Sequence, residues 1–401
     1  MVRHSGIFSQ VVSLLDRNEF KRVVKKYDAE KHSKGFSSWD QYVSMLFCQL
    51  GQARSIREIC DGLSSCEGKL RHLGMEQSPK RSTLSYANAN RPWEMYQDLF
   101  YSTLSMCRNH APGKKKFKFK NKLLSLDSTT ISLCLSLFPW AEFRRTKGAV
   151  KLHLLLDHDG YLPTYALITN GKKHDVTMAR KFPLAPGSIV AMDKGYYDYG
   201  LFGDWTENKI HFVTRLKDNA DYVVLKSNGI PNNSNILSDQ YIEIKGSVAF
   251  KKCPFVLRRV VVWDQEKNRE IVLLTNHLDF GSTTIASIYK DRWQIELFFK
   301  AIKQNLRIKT FVGTSENALY IQIWTALISI MILKYMQFKS KFDWSLSNLV
   351  ALLRWNLFSH KDLWVWLNRP FDEPPVRKID KQLMLPFKGF GQHLNGQPGF
   401  A

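Results

Sequence analysis

The sequence predicts an α/β catalytic core, interrupted by a β-rich insertion and flanked by helical regions on both sides. Three observations predict it. Strand-length apolar runs between 123 and 217 alternate with short helical segments, and two of these runs carry one aspartate each. Alternating, β-branched segments separated by turn residues fill 218–281. Apolar residues at helical spacing recur before residue 110 and after residue 313.

A chain of 401 residues can hold two or three domains around a large core. Lysine and arginine outnumber aspartate and glutamate by 58 to 36, a formal charge of +22. That surplus favours an anionic polymer as partner, nucleic acid first, with a ribosome-bound or membrane-surface protein as the plainer alternative. None of the six cysteines stands in CxxC spacing, so their scatter suits free thiols in a reducing cytoplasm rather than a zinc module. The opening MVRHSGIFSQVV is too polar for a signal peptide. The most apolar run, Ala318 to Leu333, is short for a membrane span and contains Gln322, Thr325 and Ser329, so it reads as a buried core helix and no membrane partner is expected.

In chain order, residues 1–110 read as a helical DNA-binding domain. Phe8, Val11, Val12 and Leu15 share one helical face, and Tyr42, Met45, Leu46 and Leu50 share another, whose helix starts at Ser38. SIREICDGL (Ser55 to Leu63), a Gly-containing connection and SPKRSTLSYANANRPW (Ser78 to Trp93) follow the order of a helix-turn-helix. Lys80, Arg81, Ser82, Thr83, Ser85, Asn88 and Asn90 are residue types that reach phosphates and base edges. Residues 111–122, APGKKKFKFKNK, form a basic linker, compatible with an arm along phosphates or with a lysine-guarded edge strand.

Residues 123–217 are the first part of the core. LLSLDSTTISLCL is a buried strand with Asp127 at its middle, where a carboxylate is costly unless paired or metal-bound. Val150 to Asp157 and Tyr161 to Thr169 are two strands joined at His158-Asp159-Gly160. Short helices are expected over 175–182 and 199–208, and strands over 188–193 and 210–217. The strand over 188–193 ends in Asp193. Strand, two-stranded hairpin, helix, strand, helix, strand is the order of a ribonuclease-H-like fold. Arg215, closing the last of these strands, is a candidate phosphate contact. Lys151 and His153 share a strand face that either approaches DNA or, as the favoured reading, faces solvent. Residues 218–281 read as a small, mostly β insertion made basic by Lys251, Lys252, Arg258 and Arg259, surface charges that either contact DNA or are simply solvated. Residues 282–312 hold the last core helix. Residues 313–401 read as a C-terminal helical region, loosely structured from Asp372 onward.

That last core helix carries the chemistry. Read at 100° per residue, Tyr289, Arg292, Glu296 and Lys303 of YKDRWQIELFFKAIK fall within roughly 60° of one another. A carboxylate among phosphate-binding groups can hold a metal ion against a phosphodiester. Ile295, Phe299, Ile302 and Leu306 form the burying arc, and Ser282, Thr283 or Thr284 could cap the start. Taken alone, the stripe also suits a charged surface helix with Arg292–Glu296 and Glu296–Lys300 pairs.

The motif Tyr289-x2-Arg292-x3-Glu296-x6-Lys303, with Asp127 in LLSLDSTTI and Asp193 in AMDKGYYD, resembles the Y-R-E-K signature and first two acids of bacterial insertion-sequence transposases of the DDE class, the insertion-sequence-four family. The resemblance covers 123–315 and includes a β-rich insertion ahead of the glutamate. Lys194 stands where an arginine is expected after the second acid, which keeps a basic residue there. The resemblance implies that Asp127, Asp193 and Glu296 are catalytic and hold two Mg2+ ions, with Mn2+ able to substitute. It implies that Tyr289, Arg292 and Lys303 hold phosphates. Trp293 stands where the family handles a flipped base, or is a packed aromatic. The implied partners are double-stranded DNA, as element ends and target, and a second copy of the chain in a synaptic complex in the bacterial nucleoid. The expected activity is metal-dependent cutting of element ends and their joining to target DNA. A ribonuclease-H-like endonuclease without strand transfer and a transposase-derived DNA-binding protein are the alternatives.

Overall fold

The computed structural model describes residues 5–31, 33–66, 68–113, 116–144 and 147–372. Six helices open the chain: α1 (Ile7–Val12), α2 (Arg17–Lys26), α3 (Ser38–Leu50), α4 (Ile56–Ser64), α5 (Arg81–Asn90) and α6 (Glu94–Arg108). Ser37, not Ser38, caps α3, and its reciprocal partner is Asp40. Next come β1 (Leu123–Leu133), β2 (Glu142–Arg144), β3 (Lys147–Asp157), β4 (Leu162–Asn170), α7 (Asp175–Ala179), β5 (Ile189–Met192), α8 (Tyr199–Glu207) and β6 (His211–Arg215). The inserted stretch supplies β7 (Tyr222–Ser227), β8 (Ile236–Ile244), α9 (Ser247–Lys252), β9 (Leu257–Asp264) and β10 (Arg269–Thr275). Five helices follow: α10 (Ser282–Asp291), α11 (Trp293–Asn305), α12 (Glu316–Lys339), α13 (Leu346–Asn356) and α14 (Leu363–Asn368).

The described strands form one ten-stranded sheet in the order β2-β3-β1-β5-β6-β10-β9-β8-β7, with β4 also paired to β3. β1 and β3 are antiparallel, as are β3 and β4, whereas β1, β5 and β6 run parallel. The inserted strands do not make a separate sheet. β10 pairs antiparallel with β6, and β9, β8 and β7 extend the same sheet outward. Within the insertion, the alternating stretch 241–250 divides at Gly246: β8 ends before it and α9 begins after it, with Gly246 at φ +91° turning the chain out of the sheet.

Alternation along β1 sends its residues to two cores. Leu124 and Leu126 pack with Val190, Leu201, Phe202 and Phe212 on the α8 face. Leu123 packs with Ile285 and Ile288 of α10, and Ile131 shares a core with Ile295 and Ile302 of α11. Odd-numbered residues of β1, Asp127 included, therefore face α10 and α11.

The apolar run expected as a core helix is α12, started by the Ser315 cap. It is the one helix among the described residues long and apolar enough to cross a membrane, yet it is almost wholly buried by protein. Trp324, 1% exposed, lies parallel to Trp93 and packs on Phe100 of α6. The N-terminal helices thus share one hydrophobic core with the C-terminal helices and with α11.

Residues 116–122 form no strand, which removes the edge-strand reading of the linker. Phe117 and Phe119 instead stack at 5.2 Å, and Phe119 packs on Phe280, which fastens the linker to the α10 face of the sheet. Lys114 and Lys115 of that arm, and the stretch after Asp372, lie outside the described residues.

Candidate active site

The parallel register of β1 and β5 brings the first two acids together. Leu126 pairs with Met192, so Asp127 and Asp193, each one residue further on, stand side by side on adjacent strands. Asp127 sits within β1, with its side chain 16% exposed, and its Oδ1 accepts the Ser128 amide at 2.8 Å. Asp193 lies just past β5, where the chain turns: its carboxylate accepts the Gly195 amide at 2.7 Å and its carbonyl accepts the Thr214 hydroxyl at 3.1 Å. A Cβ on residue 195 would meet Asp193 Oδ1 at 2.9 Å, so the turn needs glycine to seat that carboxylate.

The expected single helix from Tyr289 to Lys303 is two. α10 ends at Asp291, α11 begins at Trp293, and Arg292 is the junction. The cap is Gly281 with no side-chain bond, not Ser282, Thr283 or Thr284. The stripe survives the break because Arg292 keeps right-handed helical torsions, φ −51° and ψ −30°. Ile295, Phe299, Ile302 and Leu306 are buried as their spacing required.

Arg292 joins the acids. Its Nη2 donates to Glu296 Oε1 at 2.7 Å, and its Nη1 lies 3.6 Å from Asp127 Oδ2. The guanidinium stands 5.6 Å from the Tyr289 ring centre. Burial raises the Asp127 carboxyl to about 7, the Ser128 amide and Arg292 pull against it, and Asp193 and Glu296 push it further up. Three carboxylates, one of them buried and raised by burial and like charge, are a donor set suited to a hard divalent cation. Among the described residues no three acidic, histidine or cysteine side chains already converge on one point. Arg292 contacts both Glu296 and Asp127.

The other expected contacts are distributed. Lys303 donates to the Thr130 carbonyl at 3.2 Å, three residues along β1 from Asp127. Trp293 is 52% exposed beside the junction, with the Lys267 ammonium of the β9–β10 turn 6.0 Å from its ring. Arg215 ends β6 next to Thr214, and its Nε is buried without a partner. Lys80 and Arg81 start α5, and Arg81 lies 3.9 Å from Asp61 of α4, so both belong to the helical layer rather than to the acid cluster. Asn88 is buried, where it accepts from Gln41 at 2.8 Å, and is unavailable to bases.

Three readings change. His153 is fully buried rather than solvent-facing: its Nε2 is 2.9 Å from Thr169 Oγ1, and burial pushes its ring down to about 4. Lys151 turns to Asp175 at 3.2 Å, which also accepts from Ser128 at 2.8 Å. Arg258 is no surface charge. It grips Asp239 with two bonds, at 2.8 and 2.6 Å, inside the sheet. Asp175, the first residue of α7, was not singled out in the sequence; its contacts with Ser128 of β1 and Lys151 of β3 bring it to the residue after Asp127.

Comparison with known proteins follows the same lines. Residues 118–332 match a family described as "Transposase DDE domain", and residues 3–76 match a domain of unknown function. A putative transposase, y4zB, of Sinorhizobium fredii is 30% identical over 303 residues, 75% of this chain and 82% of the relative. The probable transposase for insertion sequence element IS5377 of Geobacillus stearothermophilus is 28% identical, over 65% of this chain and 68% of the relative. Transposase InsG for insertion sequence element IS4 of Escherichia coli is 25% identical, over 47% of this chain and 44% of the relative. Among solved structures, the piggyBac transposase synaptic complex with hairpin DNA covers 92% of this chain and 81% of its own, at 9% identity and a TM-score of 0.40. The chain belongs to the DDE transposase family of insertion-sequence elements, and is a DNA transposase.

Proposed function

We propose that Asp127, Asp193 and Glu296 are the catalytic, metal-holding acids of a cut-and-paste transposase built on a ribonuclease-H-like core. The observation that carries the reading is how the fold relates the three acids: Asp127 within β1, Asp193 just past the adjacent parallel strand β5, and Glu296 tied to Asp127 through Arg292. The strand order β4-β3-β1-β5-β6, antiparallel then parallel, supports the core, and β7 to β10 with α9 form its insertion. Residues 1–110 act as the DNA-binding region, with Lys80 and Arg81 on phosphates, and 111–122 as its linker.

Divalent-metal dependence is general to DDE transposases. The residues that would hold two Mg2+ ions, or Mn2+ in their place, are Asp127, Asp193 and Glu296. When bound, such ions activate the attacking oxygen and stabilise the leaving one. The chain itself orients the phosphodiester. Arg292, buried and charged, presents a planar fork to phosphate oxygens, with Tyr289 beside it. Lys303 and Arg215 extend the basic track on either side, and Trp293 offers a half-exposed ring to an unstacked base. Water attacks at the element end and frees a 3′-OH, which then attacks the opposite strand or target DNA. Two ends brought together require two copies of the chain, in the bacterial nucleoid.

Glu296→Gln is the test. The variant should bind the DNA that flanks its own gene as wild type does. It should lose Mg2+-dependent cleavage by more than about 100-fold, the upper range for changes one shell further out. Cleavage at the wild-type rate refutes the assignment.

A further inference from the structure

A second polar cluster lies beside the acids and has no part in the chemistry above. Ser125 is two residues before Asp127 and projects from the same face of β1. Its Oγ is 2.7 Å from Nε2 of His158, in the turn between β3 and β4. Nδ1 of His158 is 2.5 Å from Oδ2 of Asp291, the last residue of α10. Asp291 also accepts from Lys116 of the linker at 2.5 Å and from the Tyr161 hydroxyl at 3.2 Å. An ionised carboxylate only accepts, so Nδ1–H donates to Asp291, and Nε2 shares a hydrogen bond with the Ser125 hydroxyl. Gly160 at φ +87° and Tyr161 at φ +52° shape the turn that aims the ring.

Serine, histidine and aspartate in this order are the parts of an activated nucleophile, but no substrate can reach them. Ser125 is fully buried, and the His158 and Asp291 side chains are 3% and 1% exposed. What the cluster does is span a gap. It runs from β1 to the α10–α11 junction, the same interval that Asp127, Arg292 and Glu296 cross. Asp291 is bonded to Arg292 in the chain, and Ser125 is two residues from Asp127. The start of α11 has no side-chain cap of its own. Buried hydrogen bonds without competing water are directional and costly to leave unmade, so they fix such an interval well.

We infer that Ser125, His158 and Asp291 are positioning residues that set the separation of Asp127 and Glu296, and so the ability of these acids to hold divalent ions at the scissile phosphate. The inference rests on the reading of Asp127, Asp193 and Glu296 as the metal-holding acids.

The test uses the full chain and a plasmid carrying the DNA that flanks its gene. Ser125→Ala and Asp291→Asn are compared with wild type in four measurements. These are thermal unfolding, affinity for the flanking DNA, Mn2+ bound to the protein–DNA complex by electron paramagnetic resonance, and single-turnover cleavage in Mg2+. DNA affinity should stay within about two-fold, while Mn2+ affinity and cleavage each fall about ten-fold or more, as for supports of metal ligands. Asp291→Asn removes the anion from a buried site and can unfold the chain; Ser125→Ala removes one hydroxyl and then decides alone. Wild-type Mn2+ affinity and cleavage in folded Ser125→Ala protein overturn the inference. So does a parallel loss of DNA affinity and cleavage with Mn2+ affinity kept, which is general destabilisation. Asp127→Asn in the same assay separates the two ideas. If it cleaves as wild type does, the acids are misassigned; if it does not cleave while Ser125→Ala behaves as wild type, only the positioning role fails.

Discussion

Replacing Asp127 by asparagine should stabilise the metal-free protein, and more in alkaline than in acid solution. Burial, with Asp193 and Glu296 adding to it, lifts the folded-state carboxyl from the ordinary 3.8 to about 7. The side chain is only 16% exposed, so solvent screens little of this. Between those two values the folded chain binds more protons than the unfolded one, and stability falls as pH rises. Above pH 7 the penalty is complete: the interval from 3.8 to about 7 corresponds to about 4 kcal/mol. At pH 5 only about 2 kcal/mol has accrued. Asparagine still accepts the Ser128 amide and cannot ionise. Asp127→Asn should therefore gain about 4 kcal/mol at pH 8 and about 2 kcal/mol at pH 5. Urea unfolding in the presence of a chelator, followed by tryptophan fluorescence, measures both. Mg2+ should narrow the gap at pH 8 and reverse the ranking at pH 5, since an ion at 100 times its Kd stabilises the wild type alone by about 2.7 kcal/mol. A gain that is absent, or equal at the two pH values, refutes the account of Asp127 as a buried charge among like charges.

Arg258→Ala should cost about 3–5 kcal/mol by leaving Asp239 buried and unpaired, while Arg258→Met combined with Asp239→Leu should restore most of it; equal losses in single and double variants would contradict this. Lys80→Ala and Arg81→Ala should each lower the slope of log affinity against log salt by about one without moving the melting temperature, and an unchanged slope takes α5 off the DNA. Burial pushes the Asp291 carboxyl up, but hydrogen bonds from His158 and Lys116 outweigh it and hold it below the ordinary 3.8. Its stabilisation is present above that value and lost as pH falls through the folded one, so acid unfolding should be less steep in Asp291→Asn.

Much of the fold was legible because its signals are local. The strand with Asp127, the strand ending before Asp193, the hairpin over His158-Asp159-Gly160 and the apolar helix after Ser315 all occur near their expected places. Each depends on periodicity or on a cap within a few residues. The misses have local causes too. Gly246 at positive φ turns a β-like sequence into α9, and a break at Arg292 is invisible in a stretch whose side chains keep helical spacing. Arg258, His153 and Asn88 were misread because polar residue types say nothing about which partners the fold brings to them: Asp239, Thr169 and Gln41 are each at least 16 residues away in sequence.

The sequence by itself determined the spacing of the Y-R-E-K stripe and the family, and it carries the proposal of three acids, since these are properties of residue identity and separation along the chain. Only the tertiary structure decided what surrounds them. Parallel register sets Asp127 beside Asp193, Arg292 bridges from α11 to β1, and Ser125, His158 and Asp291 meet from three separate elements. Hydrogen bonds act over about 3 Å, and contacts between residues more than 30 apart in sequence leave no periodic trace in it.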